Sequence, residues 1–148
     1  MAMNDIARYI LSLQQNKPLK VCFLPYKRAM WDSMKSVYIS LPNSYVCPIP
    51  YFVVKDGHID MSVGMICEKD KFAEDCIDFN EFLQWEFDYV VIHNPYDDNN
   101  NLTYIHPMFH SDKLKEKSKI IYIPYGSMDN PDMIFQKGIC NADLIFPN

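Results

Sequence analysis

Short apolar runs alternate with stretches of helical periodicity along this chain. The runs are three to six residues long and are bounded by Pro, Asn or charged residues, as buried strands are. They predict strands at 19–24, 45–49, 89–92, 119–123 and 144–146. Between them, apolar residues at helical spacing predict helices at 4–16, 29–41, about 79–87, about 107–117 and about 131–140. This alternation predicts an α/β fold of three layers with a mostly parallel sheet.

Residues 53–61 depart from this alternation. Two short runs of strand character flank Asp56-Gly57, a dipeptide that suits a tight hairpin turn. We expect this hairpin to project from the main sheet, and we expect the charged stretch 68–76 to form a loop. The predicted fold is a single Rossmann-like domain over residues 1–148, with a small hairpin insertion.

Composition narrows the function classes. The chain has 148 residues, 49% of them hydrophobic, and a net charge of −5, which excludes a disordered chain and gives no bulk support for binding nucleic acid. Its five cysteines are odd in number and form no Cys-x-x-Cys pair, so we expect neither a disulfide framework nor a metal or other cofactor. No apolar run approaches the roughly 20 residues of a membrane span. We expect a cytoplasmic protein.

One regularity is specific: four predicted strands end in Pro-Tyr. The tyrosines of these dipeptides are Tyr26, Tyr51, Tyr96 and Tyr125. Because the carboxyl ends of parallel strands meet at one edge of a sheet, we expect the four rings to line a crevice there. Such a surface suits a polyol, a sugar or a nucleotide. The alternative is that each Pro only ends its strand and each Tyr packs beneath a loop.

Charged groups accompany these tyrosines. Lys27 and Arg28 follow the first strand and precede a helix, where free backbone amides and cations favour an anion. The alternative is two solvated cations. No Gly-rich phosphate loop is present in the sequence.

The segment His93-Asn94-Pro95-Tyr96-Asp97 places an imidazole, an amide and a carboxylate at one strand end. His93 is a candidate general base, with Asp97 and Asn94 orienting an acceptor substrate. The alternative is that His93 bonds to the backbone and holds the loop.

Two further features carry weaker signals. His106 and His110 are four residues apart without a third metal ligand, which favours a helix-capping or loop-ordering role for His106. The run Lys113–Lys117 is typical of a solvated helix end, with contact to an anionic membrane surface as the alternative.

Taken in order, these motifs resemble the N-terminal part of bacterial CDP-glycerol glycerophosphotransferase-like proteins. The resemblance runs from about residue 19 to the C-terminus. The residues that carry it are Phe23-Leu24-Pro25-Tyr26-Lys27 with Met30-Trp31-Asp32-Ser33, Pro48-Ile49-Pro50-Tyr51, His93-Asn94-Pro95-Tyr96-Asp97, Tyr122-Ile123-Pro124-Tyr125, and Asn100, Thr103, His106 and Pro107.

The resemblance implies one half of a GT-B architecture, in which two Rossmann-like domains face each other across a cleft. Family members transfer glycerol phosphate from CDP-glycerol to a teichoic-acid-type acceptor and release CMP at the cytoplasmic face of the membrane. The C-terminal domain mainly holds the donor, so this chain would be the acceptor-side half of a larger protein. Active members are expected to carry His-Gly where this chain has Tyr125-Gly126; if that His is the base, His93 must replace it or the chemistry differs.

The leading hypothesis is therefore an acceptor-side transferase domain. Its catalytic residues would be His93 and Asp97. Its substrate-binding residues would be Tyr26, Lys27, Arg28, Tyr51, Asn94, Tyr96, His106 and Tyr125. Its partners would be a nucleotide-linked glycerol or sugar donor and a polyol-phosphate or sugar acceptor, with peripheral membrane association or a homodimer as further expectations. The main alternative is a non-catalytic module of the same fold that binds a sugar, a nucleotide or a protein. A flavodoxin-like or receiver-like regulatory domain is less favoured, because no acidic pair follows the first strand.

Overall fold

The computed structural model describes residues 3–13, 17–97, 101–128 and 130–146. Its strands are β1 Val21–Leu24, β2 Ser44–Val46, β3 Tyr51–Lys55, β4 His58–Ile59, β5 Met65–Ile66, β6 Tyr89–Ile92, β7 Thr103–Ile105, β8 Lys119–Tyr122 and β9 Leu144–Ile145. Five of them form a parallel sheet in the order β2-β1-β6-β8-β9. The predicted α/β class and mostly parallel sheet are confirmed.

The helices are short. They are α1 Met3–Ser12, α2 Asp32–Ser40, α3 Phe79–Gln84, α4 Ser111–Leu114 and α5 Lys137–Cys140, with 3-10 turns at Arg28–Met30, Lys69–Lys71, Pro107–Phe109 and Pro131–Phe135. α3 begins at a capping box, in which Asp78 and Glu81 each accept a hydrogen bond from the other's backbone N–H. Among the described residues, no helix is long and apolar enough to cross a membrane.

The two faces of the sheet bury separate cores, because successive strand residues point to opposite sides. On one face, Phe23 of β1 packs in a cluster with residues of α1 and α2. On the other face, Cys22 and Leu24 pack with Phe82 of α3 and Ile139 of α5. Helices therefore cover both faces, and the three-layer prediction is confirmed.

The strand order identifies where such a sheet binds ligands. Taken in chain order, the five strands lie 2-1-3-4-5, a doubly wound arrangement that flavodoxin-type proteins share. The winding direction reverses between β1 and β6, and ligands of such folds bind at the carboxyl ends of the two strands beside that point. Here those ends lead into Pro25-Tyr26 and into His93-Asn94.

The insertion is larger than the sequence predicts. β3 pairs antiparallel with β4, β5 and β7, which makes a small second sheet. The turn is as expected, since Asp56 and Gly57 have φ of 51° and 78°. β7 was not predicted, because three residues are too few to show an alternating pattern.

Two predicted helices are wrong in extent. In place of 107–117 the chain forms a 3-10 turn, an extended His110 and α4. In place of 131–140 it forms a 3-10 turn, an extended Gln136 and α5. Both helices are interrupted in the same way. The backbone N–H of Ser111 bonds to the Asp97 side chain and that of Gly138 to the Pro95 carbonyl, so neither N–H continues a helix from the preceding turn. Residues 14–16 of the first predicted helix lie outside the described residues.

Candidate functional site

Aromatic rings form a continuous row along the carboxyl edge of the main sheet. The ring of Tyr26 lies 5.5 Å, centroid to centroid, from both Tyr51 and His93. The ring of His93 in turn lies 6.0 Å from that of Tyr125. All three contacts are edge-to-face, the arrangement that aromatic quadrupoles favour. We call Tyr51, Tyr26, His93 and Tyr125 the aromatic row.

The structure therefore brings the ends of the Pro-Tyr strands together, but it buries much of what they carry. Tyr26 and Tyr51 are 2% and 5% exposed, whereas Tyr125 is 39% exposed. A cavity of about 90 Å³ opens at the Tyr125 end, and its lining includes Tyr96, Tyr122 and Met133. The accessible part of the row is this end, because Tyr51, Tyr26 and His93 are all buried.

His93 is fully buried at the switch point between β1 and β6. Its Nδ1 lies 3.3 Å from the Met30 carbonyl oxygen. Since a carbonyl can only accept, Nδ1 carries the proton and Nε2 carries the lone pair. Burial lowers the pKa of His93 to about 4, so the imidazole is neutral at neutral pH. His93 is thus bound to the backbone, which is the alternative given for it above. The lone pair of its Nε2 can still accept a hydrogen bond.

Two buried polar atoms of this region have no hydrogen-bond partner among the described residues. They are Nε2 of His93 and the hydroxyl of Tyr122. A buried polar group without a partner costs roughly 1–3 kcal/mol of folding free energy, so a ligand that supplies the missing hydrogen bond gains by binding there. By contrast, the Tyr26 hydroxyl bonds to Thr103. Tyr122 was not predicted as a site residue, although it begins the Tyr122-Ile123-Pro124-Tyr125 motif.

The predicted anion site after β1 holds a carboxylate from the chain itself. The backbone N–H of Arg28 donates to Oε2 of Glu68 at 2.8 Å, and the Tyr51 hydroxyl donates to Oε1 at 3.3 Å. Lys71 Nζ pairs with the same carboxylate at 3.0 Å. These hydrogen bonds and Lys71 outweigh desolvation, which opposes them, and hold the pKa of Glu68 below its usual value. Sequence reasoning missed Glu68, because this residue lies 40 positions after Arg28 in the chain and only the fold brings the two together.

The two predicted cations differ in their contacts. Lys27 Nζ lies 5.2 Å from the ring centre of Tyr26 and 5.6 Å from that of Tyr51, which places a positive charge on the row. Arg28 instead pairs with Asp32 at 3.3 Å. Lys27 is therefore the cation that the structure associates with the aromatic row.

The residues after His93 are occupied in holding their own loop. Asn94 Nδ2 donates to the Tyr96 carbonyl at 2.8 Å. Both carboxylate oxygens of Asp97 accept from Ser111, from its backbone N–H at 2.9 Å and from its hydroxyl at 2.6 Å. Asp97 thus fastens the start of α4, and its geometry offers no support for a role in orienting an acceptor.

His106 belongs to a different cluster from the aromatic row. Its Nδ1 accepts from the backbone N–H of Met108 at 3.2 Å and so caps the 3-10 turn at Pro107–Phe109. Its ring lies 5.2 Å from that of Phe79, and burial lowers its pKa. The capping role expected for His106 is confirmed. Of the other residues that carry the resemblance, Asn100 lies outside the described residues.

Comparison of the chain with protein-family models, with curated proteins and with solved structures finds no match. Within the described part of the chain, no group of three or more His, Cys, Asp or Glu side chains could hold a metal ion. The site is therefore defined by its own geometry, which is a neutral buried imidazole among tyrosines beside one lysine.

Proposed function

We propose that this chain is the acceptor-side domain of a transferase of the CDP-glycerol glycerophosphotransferase type. It would form one half of a GT-B architecture and bind a polyol phosphate or a sugar acceptor at the aromatic row. The observation that carries the proposal is the 5.5 Å contact of Tyr26 with His93 across the switch point, where Nε2 of His93 has no protein partner among the described residues.

The chemistry of the row fits such an acceptor. The exposed ring of Tyr125 can present an apolar face to the carbon skeleton of a polyol, and the Tyr122 hydroxyl, which has no partner among the described residues, can bond to one of its oxygens. The lone pair on Nε2 of His93 can accept a hydrogen bond from an acceptor hydroxyl. Lys27 stands over Tyr26 and Tyr51 and can offset the charge of an acceptor phosphate.

In the transfer itself, Nε2 of His93 would take the proton of the attacking hydroxyl. The acceptor oxygen would then attack the glycerol-bearing phosphorus of CDP-glycerol, and CMP would leave. The donor would be held by the second domain of the GT-B pair. His93 is fully covered in this structure, so the half-exposed Tyr125 would have to swing aside for the acceptor to reach it.

The same observations support a second candidate, a non-catalytic binding module of this fold. A pKa near 4 makes His93 a weak base at neutral pH, and complete burial limits proton exchange with water. Either candidate binds its ligand at the same row, and only the first uses His93 to move a proton.

Calorimetric titration separates the hypotheses. Glycerol-phosphate oligomers, CDP-glycerol and CMP would be titrated into the wild type, Tyr125→Ala and His93→Gln. We expect the oligomers alone to bind and both substitutions to weaken them. The matched control is Tyr9→Ala, an exposed tyrosine of α1. Failure of every oligomer to bind, or equal weakening by the Tyr9 control, would overturn the proposal.

Turnover distinguishes the enzyme from the binding module. With the donor-binding domain present in the same polypeptide, His93→Gln should lower kcat by at least about a hundredfold, the scale of general base catalysis. Oligomer binding without any turnover in the wild type would favour the binding module.

A further inference from the structure

A large concavity lies at the edge of the main sheet opposite to the aromatic row. It has a volume of about 990 Å³, against about 90 Å³ for the cavity beside Tyr125. The amino-terminal ends of β1, β6 and β8 form its base, because Lys20, Asp88 and Ser118 each directly precede the residues that pair in register at the start of these strands. We call it the amino-edge groove. Its volume is that of a typical small-molecule site.

Positive charge is concentrated in this groove, although the chain as a whole has a net charge of −5. Five lysines and three carboxylates line it: Lys17, Lys20, Lys115, Lys117 and Lys119, with Glu86, Asp88 and Glu116. An accumulation of lysines against the overall charge produces a local positive potential, which a concave surface focuses.

The carboxylates of the groove are largely committed to other groups. Asp88 Oδ1 pairs with Lys17 at 3.2 Å, and its Oδ2 accepts the backbone N–H of Lys20 at 2.8 Å. Glu116 pairs with Lys113 at 2.9 Å. Among the described residues, Lys115, Lys117 and Lys119 make no ion pair, and Glu86 is the one groove carboxylate left to oppose them.

The wall of the groove is aromatic and holds one lysine in place. Lys20 Nζ lies 4.3 Å from the ring centre of Trp85, and 5.4 Å and 5.3 Å from those of Tyr45 and Phe87. Cation–π contacts with three rings restrain this ammonium without neutralising it. A fixed cation beside three exposed ones loses less freedom on binding an anion than four mobile ones would.

We infer that the amino-edge groove binds a soluble ligand that carries several phosphate charges. Lys20 would hold one phosphate against the Trp85 wall, and the lysines of 115–119 would hold the others from the facing segment. This site lies at the other edge of the sheet from the aromatic row and does not depend on the function proposed for that row.

Tripolyphosphate is the probe, and Trp85 is the built-in reporter. The other tryptophan, Trp31, is fully buried, so a fluorescence response that disappears in Trp85→Phe comes from the groove. We expect saturable binding that is at least about tenfold tighter than that of orthophosphate and that weakens as salt is added. Calorimetry on the same samples measures the affinity without relying on fluorescence.

The decisive variant is K115Q/K117Q/K119Q. Its matched control is K55Q/K69Q/K71Q, which makes the same change in net charge on the insertion and the turn that follows it. We expect the first variant to bind tripolyphosphate at least about tenfold more weakly and the control to change less than about twofold. Thermal melts of both variants establish that they are folded.

Three results would overturn the inference. The wild type could show no saturable binding of tripolyphosphate, or the control variant could weaken binding as much as the groove variant does. The third is binding to vesicles of phosphatidylserine and phosphatidylcholine without any binding of tripolyphosphate. That result would make the lysines a membrane-facing surface and not a site for a soluble ligand.

Discussion

His93 and Met30 are joined by a hydrogen bond between the imidazole Nδ1 and the backbone carbonyl oxygen, 3.3 Å apart across 63 residues of sequence. Met30 ends the 3-10 turn after β1, and His93 directly follows β6. The bond therefore ties together the two segments that flank the switch point of the sheet. It also sets the tautomer that leaves Nε2 as an acceptor.

Acid should destabilise the fold through His93. Its pKa is about 4 in the folded chain and near 6.5 unfolded, so the unfolded state binds more protons between these values. The contribution of the neutral His93 to the free energy of unfolding is therefore complete above pH 6.5 and is lost as the pH falls toward 4. We expect the free energy of unfolding to fall by roughly 2 kcal/mol between pH 7.5 and pH 5 from this group. Urea denaturation across that range measures it.

The variant His93→Gln should flatten this pH dependence, because it removes the titrating group. His106→Gln is the control, since burial lowers its pKa as well but the side chain is only half-buried. It should remove less of the slope. An unchanged slope in His93→Gln would contradict the assignment.

The hydrogen bonds between Asp97 and Ser111 should be a main support of the loop after β6. Asp97→Ala leaves the buried N–H and hydroxyl of Ser111 without the carboxylate, and we expect a loss of about 2–4 kcal/mol in the free energy of unfolding. The neighbour Asp112 makes only exposed contacts, at 3.4 Å to Lys137 and at 3.1 Å to the backbone N–H of Lys113, so Asp112→Ala should cost less than about 1 kcal/mol. Chemical denaturation compares the two, and equal losses would show that Asp97 has no special role.

A methyl group at Gly138 should separate α5 from the strand-end loop. A Cβ at this position would lie 2.8 Å from the carbonyl oxygen of Pro95, which is backbone and cannot rotate away. We expect Gly138→Ala to lower the free energy of unfolding by about 1–3 kcal/mol. At Gly126 a Cβ would meet nothing within 4 Å, so Gly126→Ala is the control and should be near neutral. Thermal unfolding measures both, and a neutral Gly138→Ala would refute the close approach.

The five thiols should react with an aromatic disulfide reagent in three groups. Cys67 and Cys140 are exposed and should react first. Burial raises the pKa of the half-buried Cys76 to about 11, so its thiolate is scarce and its reaction slow. Cys22 and Cys47 are buried with raised pKa values and should react only after unfolding. Rapid reaction of more than two thiols in the native protein would contradict this order.

Much of the main sheet could be predicted from the chain alone. The run at 89–92 is a strand with those same ends, and Asp56-Gly57 turns the hairpin as its residue types require. Local patterns suffice there, because a buried strand needs a continuous apolar run and a tight turn needs residues that tolerate positive φ. The helices predicted at 107–117 and 131–140 are too long, because the backbone N–H groups of Ser111 and Gly138 bond to the loop after β6 and no local signal records such contacts.

The candidate site, like the fold, could be predicted only in part from the sequence. The repeated Pro-Tyr dipeptide predicted that tyrosines would gather at one edge, and the structure brings Tyr26, Tyr51 and Tyr125 into one row with His93. The structure also shows two contacts that the motif does not predict. Glu68 accepts the backbone N–H of Arg28 at the expected anion site, and Asp97 accepts a hydrogen bond from the Ser111 hydroxyl.

By itself, the sequence determined the fold class, the order of the main strands along the chain and the residue types at each strand end, because these depend on periodicity and on local backbone chemistry. The tertiary structure decided which of those residues are buried, which carry a partner and how their pKa values shift. Burial and pairing depend on segments that are distant in the chain and close in space, as His93 and Met30 are, and a pattern along one chain does not encode that distance.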